Sequence, residues 1–95
     1  MKHGRIDKTQ GEIVQTFRKM GCPTFITSDL GKGFPDCLTK IGKDIWLIEI
    51  KDGSKPLSQR KLTPLEQKFH IEFDGCVKVI SSVDEAIEFV AKCRI

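Results

Sequence analysis

Ile45-Trp46-Leu47-Ile48-Glu49-Ile50-Lys51 is the stretch from which the rest of the chain is read. Its apolar, β-branched and aromatic content marks a strand. Side chains alternate along a strand, so Ile45, Leu47, Glu49 and Lys51 share one face while Trp46, Ile48 and Ile50 share the other. Glu49 and Lys51, roughly 7 Å apart along the backbone, interrupt the apolar run. An acid and a base so spaced often only mark where a strand emerges into water; the upstream sequence changes that weighting. Asp36 stands thirteen residues before Glu49, after Gly33-Phe34-Pro35, where glycine and proline fix the entry of another strand. An antiparallel hairpin through the tight turn Ile41-Gly42-Lys43-Asp44 brings Asp36 beside Glu49.

Outward from this hairpin the chain divides cleanly. Ile13, Val14, Phe17 and Met20 recur at helical spacing, predicting a helix over about Thr9 to Met20 that stops at Gly21 before Pro23. Thr24-Phe25-Ile26-Thr27 reads as a short strand, Asp29 to Gly33 as a glycine-rich turn, and Asp36 to Thr39 as a second strand. Asp52 to Lys61 is a basic loop. Thr63-Pro64-Leu65-Glu66 forms a capping box that opens a helix through about Phe73, ended by Asp74-Gly75. Cys76 to Ile80 is a strand, and Ser82-Val83-Asp84-Glu85 a second capping box before a final helix. The order helix, three strands, helix, strand, helix makes an α/β domain with a mixed sheet, helices covering both faces.

Pro35-Asp36 followed by Glu49-Ile50-Lys51 resembles the PD-(D/E)xK nuclease motif. The wider run Gly33 to Asp36, Trp46 to Lys51 and Leu62-Thr63-Pro64-Leu65-Glu66-Gln67 is similar to the small stand-alone VRR-NUC nucleases of phages and bacteria, over residues from about Gly11 to Ile80. The resemblance implies a restriction-endonuclease-like core and a metal-dependent DNA endonuclease acting on branched DNA such as four-way junctions. It further implies a homodimer, since one small core needs a second copy to cut two strands symmetrically.

The residues support a metal site on physical grounds. Two converging carboxylates repel unless a divalent cation lies between them, and such oxygen ligands suit Mg²⁺, with Mn²⁺ as a substitute. Asp36 and Glu49 are the expected ligands; the resemblance adds the backbone carbonyl of Ile50. Lys51, on the Glu49 face, orients the attacking water and offsets transition-state charge. Glu12 in the first helix resembles the glutamate that related junction-resolving nucleases point at their metal, although the helix dipole alone also favours an acid there. Gln67 matches a glutamine common in the family that holds a water or phosphate; its plain alternative is an exposed helix glutamine. Lys55, Arg60, Lys61 and Lys68, with Ser54 and Ser58, form the expected phosphate-binding group, a pattern that a solvated loop also produces.

Composition limits the alternatives. The chain has 95 residues, 39% hydrophobic and 31% charged, which fits a single domain spanning 1–95. Sixteen Lys plus Arg against thirteen Asp plus Glu leave a net charge of +3, compatible with a polyanion partner. No apolar run approaches the roughly 20 residues of a membrane span, and the N-terminus leads into no signal-peptide core. The expected setting is the cytoplasm of a bacterial or phage-infected cell. Cys22, Cys37, Cys76 and Cys93 are scattered, contain no C-x-x-C pair and lie at no ligand-like spacing from His3 or His70, so free, mostly buried thiols are expected rather than zinc. Trp46, Phe69 and Phe73 read as core or interface. The rival to a nuclease is a non-catalytic nucleic-acid-binding module on the same fold.

Overall fold

The computed structural model describes residues 8–95, and His3 and the N-terminal segment considered above lie outside them. The elements are α1 (Lys8–Lys19), β1 (Thr24–Ile26), β2 (Cys37–Ile41), β3 (Asp44–Ile50), α2 (Pro64–Glu72), β4 (Val77–Ile80) and α3 (Val83–Cys93), in the order expected. Single 3₁₀ turns at Ser28–Leu30 and Leu57–Gln59 occupy stretches read as turn and loop.

β1, β2 and β3 form an antiparallel meander, and β4 joins β3 in parallel, giving a four-stranded mixed sheet in the order β1-β2-β3-β4. The β2–β3 hairpin pairs Ile41 with Asp44 across Gly42-Lys43, where Gly42 has φ of 63°. A side chain at that angle would be strained. A parallel pair cannot be joined by a hairpin, so the basic segment and α2 serve as the crossover between β3 and β4.

The core lies on one side of the sheet. Ile13, Val14 and Phe17 of α1 and Ala86 and Val90 of α3 pack with Cys37, Ile41, Ile48 and Ile80. Trp46 and Ile50 border this cluster, and Trp46 meets Phe89 edge-on at 4.9 Å. The alternation read along β3 therefore holds, with Ile48 facing the core. Coverage of the second face is uneven. α2 has no buried residue and reaches that face at its Glu49 end, through an ion pair to Lys51 and through Phe69, whose ring lies 5.1 Å from Phe34. Phe69 and Phe73 stack on each other at 4.2 Å instead of entering the core. Among the described residues the far part of this face is open: Phe25 is 72% and Ile45 49% exposed.

Two local expectations are corrected. The second capping box is half formed: Ser82 accepts from the Glu85 amide, but the Glu85 carboxylate accepts from the Ser81 amide, one residue early. All four cysteines are free, yet only Cys22 and Cys37 are buried; Cys93 is half-buried and Cys76 exposed at the mouth of β4. Among the described residues no helix is long and apolar enough to cross a membrane.

Candidate active site

The site forms where β2 begins and β3 ends. The Cys37–Ile48 pairing sets Asp36 opposite Glu49. Asp36 is locked from three sides: its amide donates to the Ile48 carbonyl at 2.9 Å, its carbonyl accepts from the Thr27 amide at 2.8 Å, and its Oδ2 accepts from the Ile50 amide at 2.7 Å. The preceding proline is also fixed, its carbonyl accepting from Thr27 Oγ1 at 2.8 Å. Ile50, expected to offer its carbonyl to a metal, thus uses its amide to orient the first carboxylate.

Glu49 is 3% exposed, an unusual state for a glutamate. Its Oε1 is shut off from solvent and has no hydrogen-bond partner among the described residues. Burial first, then the charges of Asp36 and Glu66, push its pKa up to about 9. Burial likewise raises Asp36, against the lowering effect of the Ile50 amide and of the hydrogen bond to Glu49. The two carboxyl groups therefore hold a proton between them at neutral pH.

Lys51 Nζ lies 3.7 Å from Glu49 Oε2 and 2.9 Å from Glu66 Oε1. Burial disfavours its ammonium, but the hydrogen bond and charge of Glu66, with Glu49 and Asp36 behind it, outweigh that and raise the pKa. Glu66 would also be raised by burial alone; Lys51 and the Thr63 amide hold it below its usual value. Glu66 Oε1 accepts from Lys51 Nζ and from the Thr63 amide, both at 2.9 Å. One oxygen thus closes the α2 capping box and seats the lysine. The helix can come this close because Gly33, with φ of 82°, leaves room: a Cβ there would sit 2.5 Å from the Leu65 carbonyl oxygen.

The sequence reading missed Glu66 as a site residue, seeing only its capping role. Gln10 was missed as well. It is a 6% exposed polar residue on α1 whose Nε2 donates to Ser28 Oγ at 3.3 Å, next to the Thr27 that holds Asp36. A glutamine at a position bordered by Ile13, Val14 and Phe17 was the available signal. His70, one turn beyond Glu66, has its Nε2 buried without a partner among the described residues, and burial lowers its pKa.

Other expected residues make contacts of their own. Glu12 lines a cleft of about 680 Å³ with Lys8, Asp52, Ser54, Arg60, Ser81 and Glu85. Gln67 Nε2 donates to the Leu62 carbonyl at 3.2 Å, tying down the segment before its own helix. Ser54 gives its amide and hydroxyl to Asp52 Oδ1 at 2.9 and 2.7 Å. Lys55, Ser58, Lys61 and Lys68 are exposed, whereas Arg60 turns inward to the Glu12 cleft with its Nε buried and unpaired among the described residues.

The donor set suits a hard divalent cation. No three His, Cys, Asp or Glu side chains form a ready-made metal cage among the described residues; Mg²⁺ needs only one or two carboxylates, completing its shell with water and substrate oxygens. The unsatisfied Glu49 oxygen beside the fixed Asp36 meets that requirement. No family model, curated protein or solved structure matches the chain.

Proposed function

We propose that this protein is a divalent-cation-dependent endonuclease that hydrolyses phosphodiester bonds in branched DNA on a restriction-endonuclease-like core of the VRR-NUC type. The observation that carries the reading is the pairing of buried Glu49 with half-buried Asp36, with one Glu49 oxygen unsatisfied and a seated lysine 3.7 Å away. An unmet buried carboxylate oxygen is costly, and a cation held between Glu49 and Asp36 would satisfy it.

Asp36 and Glu49 would hold Mg²⁺ or Mn²⁺, which when bound supplies a Lewis acid for a phosphate oxygen. The protein's own contributions are distinct. Glu49 would serve as a ligand in its deprotonated form. The Ile50 amide keeps Asp36 in one orientation, so no reorganisation is needed during reaction. Lys51, gripped by Glu66, puts positive charge beside the position where the phosphoryl group gains negative charge. The exposed Lys55, Lys61 and Lys68 add sequence-independent phosphate attraction. A second copy of the chain would provide the second cut.

Labelled four-way junction, flap, duplex and single-stranded DNA, incubated in Mg²⁺ and in EDTA, test the reading. Wild type is expected to cut only with the cation, and Asp36→Ala and Lys51→Ala to lose roughly a hundredfold or more of that activity while remaining folded. Retained DNA binding with no cutting in either Mg²⁺ or Mn²⁺ would establish the binding-module alternative instead.

A further inference from the structure

The open sheet face has an order that the catalytic reading does not use. Phe25, Leu38 and Leu47 are successive cross-strand partners, and Leu47 pairs with Val77, so an apolar row spans all four strands. Glu49 lies two residues beyond Leu47 on β3, and Ile45 two residues before it, opposite Lys40. Row follows row at roughly 7 Å along the strands: the carboxylates, then the apolar row, then Lys40 and Ile45. Lys51 lies at one end of this track and exposed Lys40 at the other. The prominent side chain between them is Phe25, 72% exposed on β1.

We propose that this face binds an unpaired strand of DNA, one base stacked on Phe25 and the next phosphate held by Lys40. The direction of the strand rests on the nuclease reading, which places the scissile phosphate at Asp36 and Glu49; the docking surface itself does not. An aromatic ring on an open sheet is a sequence-tolerant platform, because every base has a π-face to stack. The exposed Lys40 ammonium at the end of the row matches the phosphate that follows a stacked base. A protein partner fits less well. Leu38, Leu47 and Val77 are half-buried, so Phe25, Ile45 and Val79 are the large apolar side chains this face leaves exposed, far fewer than the roughly 20–30 residues each side contributes to a stable protein interface. A second copy lying flat on the row would also cover the approach to the carboxylates. The face thereby favours substrates that offer single-stranded character beside the cut, such as a flap or the opened centre of a junction.

Fluorescence anisotropy in EDTA, where no cleavage occurs, separates this inference from the nuclease reading. The probes are a dT20 oligonucleotide and a 20-base-pair duplex. Phe25→Ala is expected to weaken dT20 binding roughly 5-fold or more and to leave duplex binding unchanged, while Phe25→Trp retains wild-type affinity. Lys40→Ala is expected to weaken dT20 binding and to make it less sensitive to salt. Circular dichroism checks folding of each variant. Equal dT20 affinity for wild type and Phe25→Ala would overturn the inference. So would a loss of binding that accompanies conversion of a dimer to a monomer in sedimentation, which would assign the face to a second copy. If Phe25 controls dT20 binding but wild type never cuts DNA with Mg²⁺ or Mn²⁺, the nuclease reading falls and the strand-binding face stands.

Discussion

Glu49, buried against Asp36 and Glu66, keeps its proton up to about pH 9, whereas an ordinary glutamate loses it near 4.5. The stability tied to that proton is fully present below the unfolded value and drains away as pH rises toward the folded one. Glu49→Gln imitates the protonated side chain. It is expected to melt with wild type at pH 4 and above it at pH 8 in EDTA; equal melting temperatures at pH 8 would contradict the burial argument. The same variant is expected to gain no thermal stability from Mg²⁺. On the proposed metal-binding reading, a cation would displace the shared proton, so Mg²⁺ affinity in wild type is expected to rise with pH and its calorimetric heat to vary with the buffer's ionisation enthalpy. A heat independent of buffer would show that the pair is already ionised. At this scale Asp36, Glu49 and Lys51 were legible, because strand alternation and hairpin register place them without knowledge of the rest. Glu66 was not, since its bond to Lys51 spans fifteen residues of crossover that no periodicity describes.

The start of α2 is the element on which the lysine depends. Gly33 faces the Leu65 carbonyl and the Glu66 amide with a positive φ, so Gly33→Ala meets both a backbone clash and an unfavourable angle. A loss of about 1–3 kcal/mol is expected in urea unfolding. Thr63→Ala removes the hydroxyl that accepts from the Glu66 amide and is expected to cost about 1 kcal/mol. Both changes loosen the seat of Lys51 while leaving the carboxylate pair intact. The capping box made this boundary readable to within a residue. What the helix would cover was not readable: Phe69 and Phe73 read as core or interface in sequence, whereas they stack on one another and Phe69 meets Phe34. Ser82 and Glu85 show the complementary limit, a capping spacing satisfied one residue out of register.

For the molecule as a whole, the element order, the β2–β3 hairpin and the mixed sheet followed from hydrophobic periodicity and turn residues, whereas the strand order and the parallel β3–β4 pair did not. Nor did the open side of the sheet, because Phe25 and Ile45 carry the same apolar signal as the core. The two kinds of strand pairing also differ in how much chain must be gathered before they form. β2 and β3 meet across Gly42-Lys43, while β3 and β4 meet only after residues 51–76 have been brought back. Closing the longer loop costs more chain entropy and delays the pair. In refolding followed by pulsed hydrogen exchange, the hairpin amides are expected to be protected before that of Leu47, which donates to the Cys76 carbonyl, and that of Lys51, which donates to the Ile80 carbonyl. Until that step Asp36 and Glu49 already face each other but Lys51 has no seat. On the proposed nuclease reading, recovery of cation-dependent cleavage during refolding is expected to track this slow phase rather than hairpin formation.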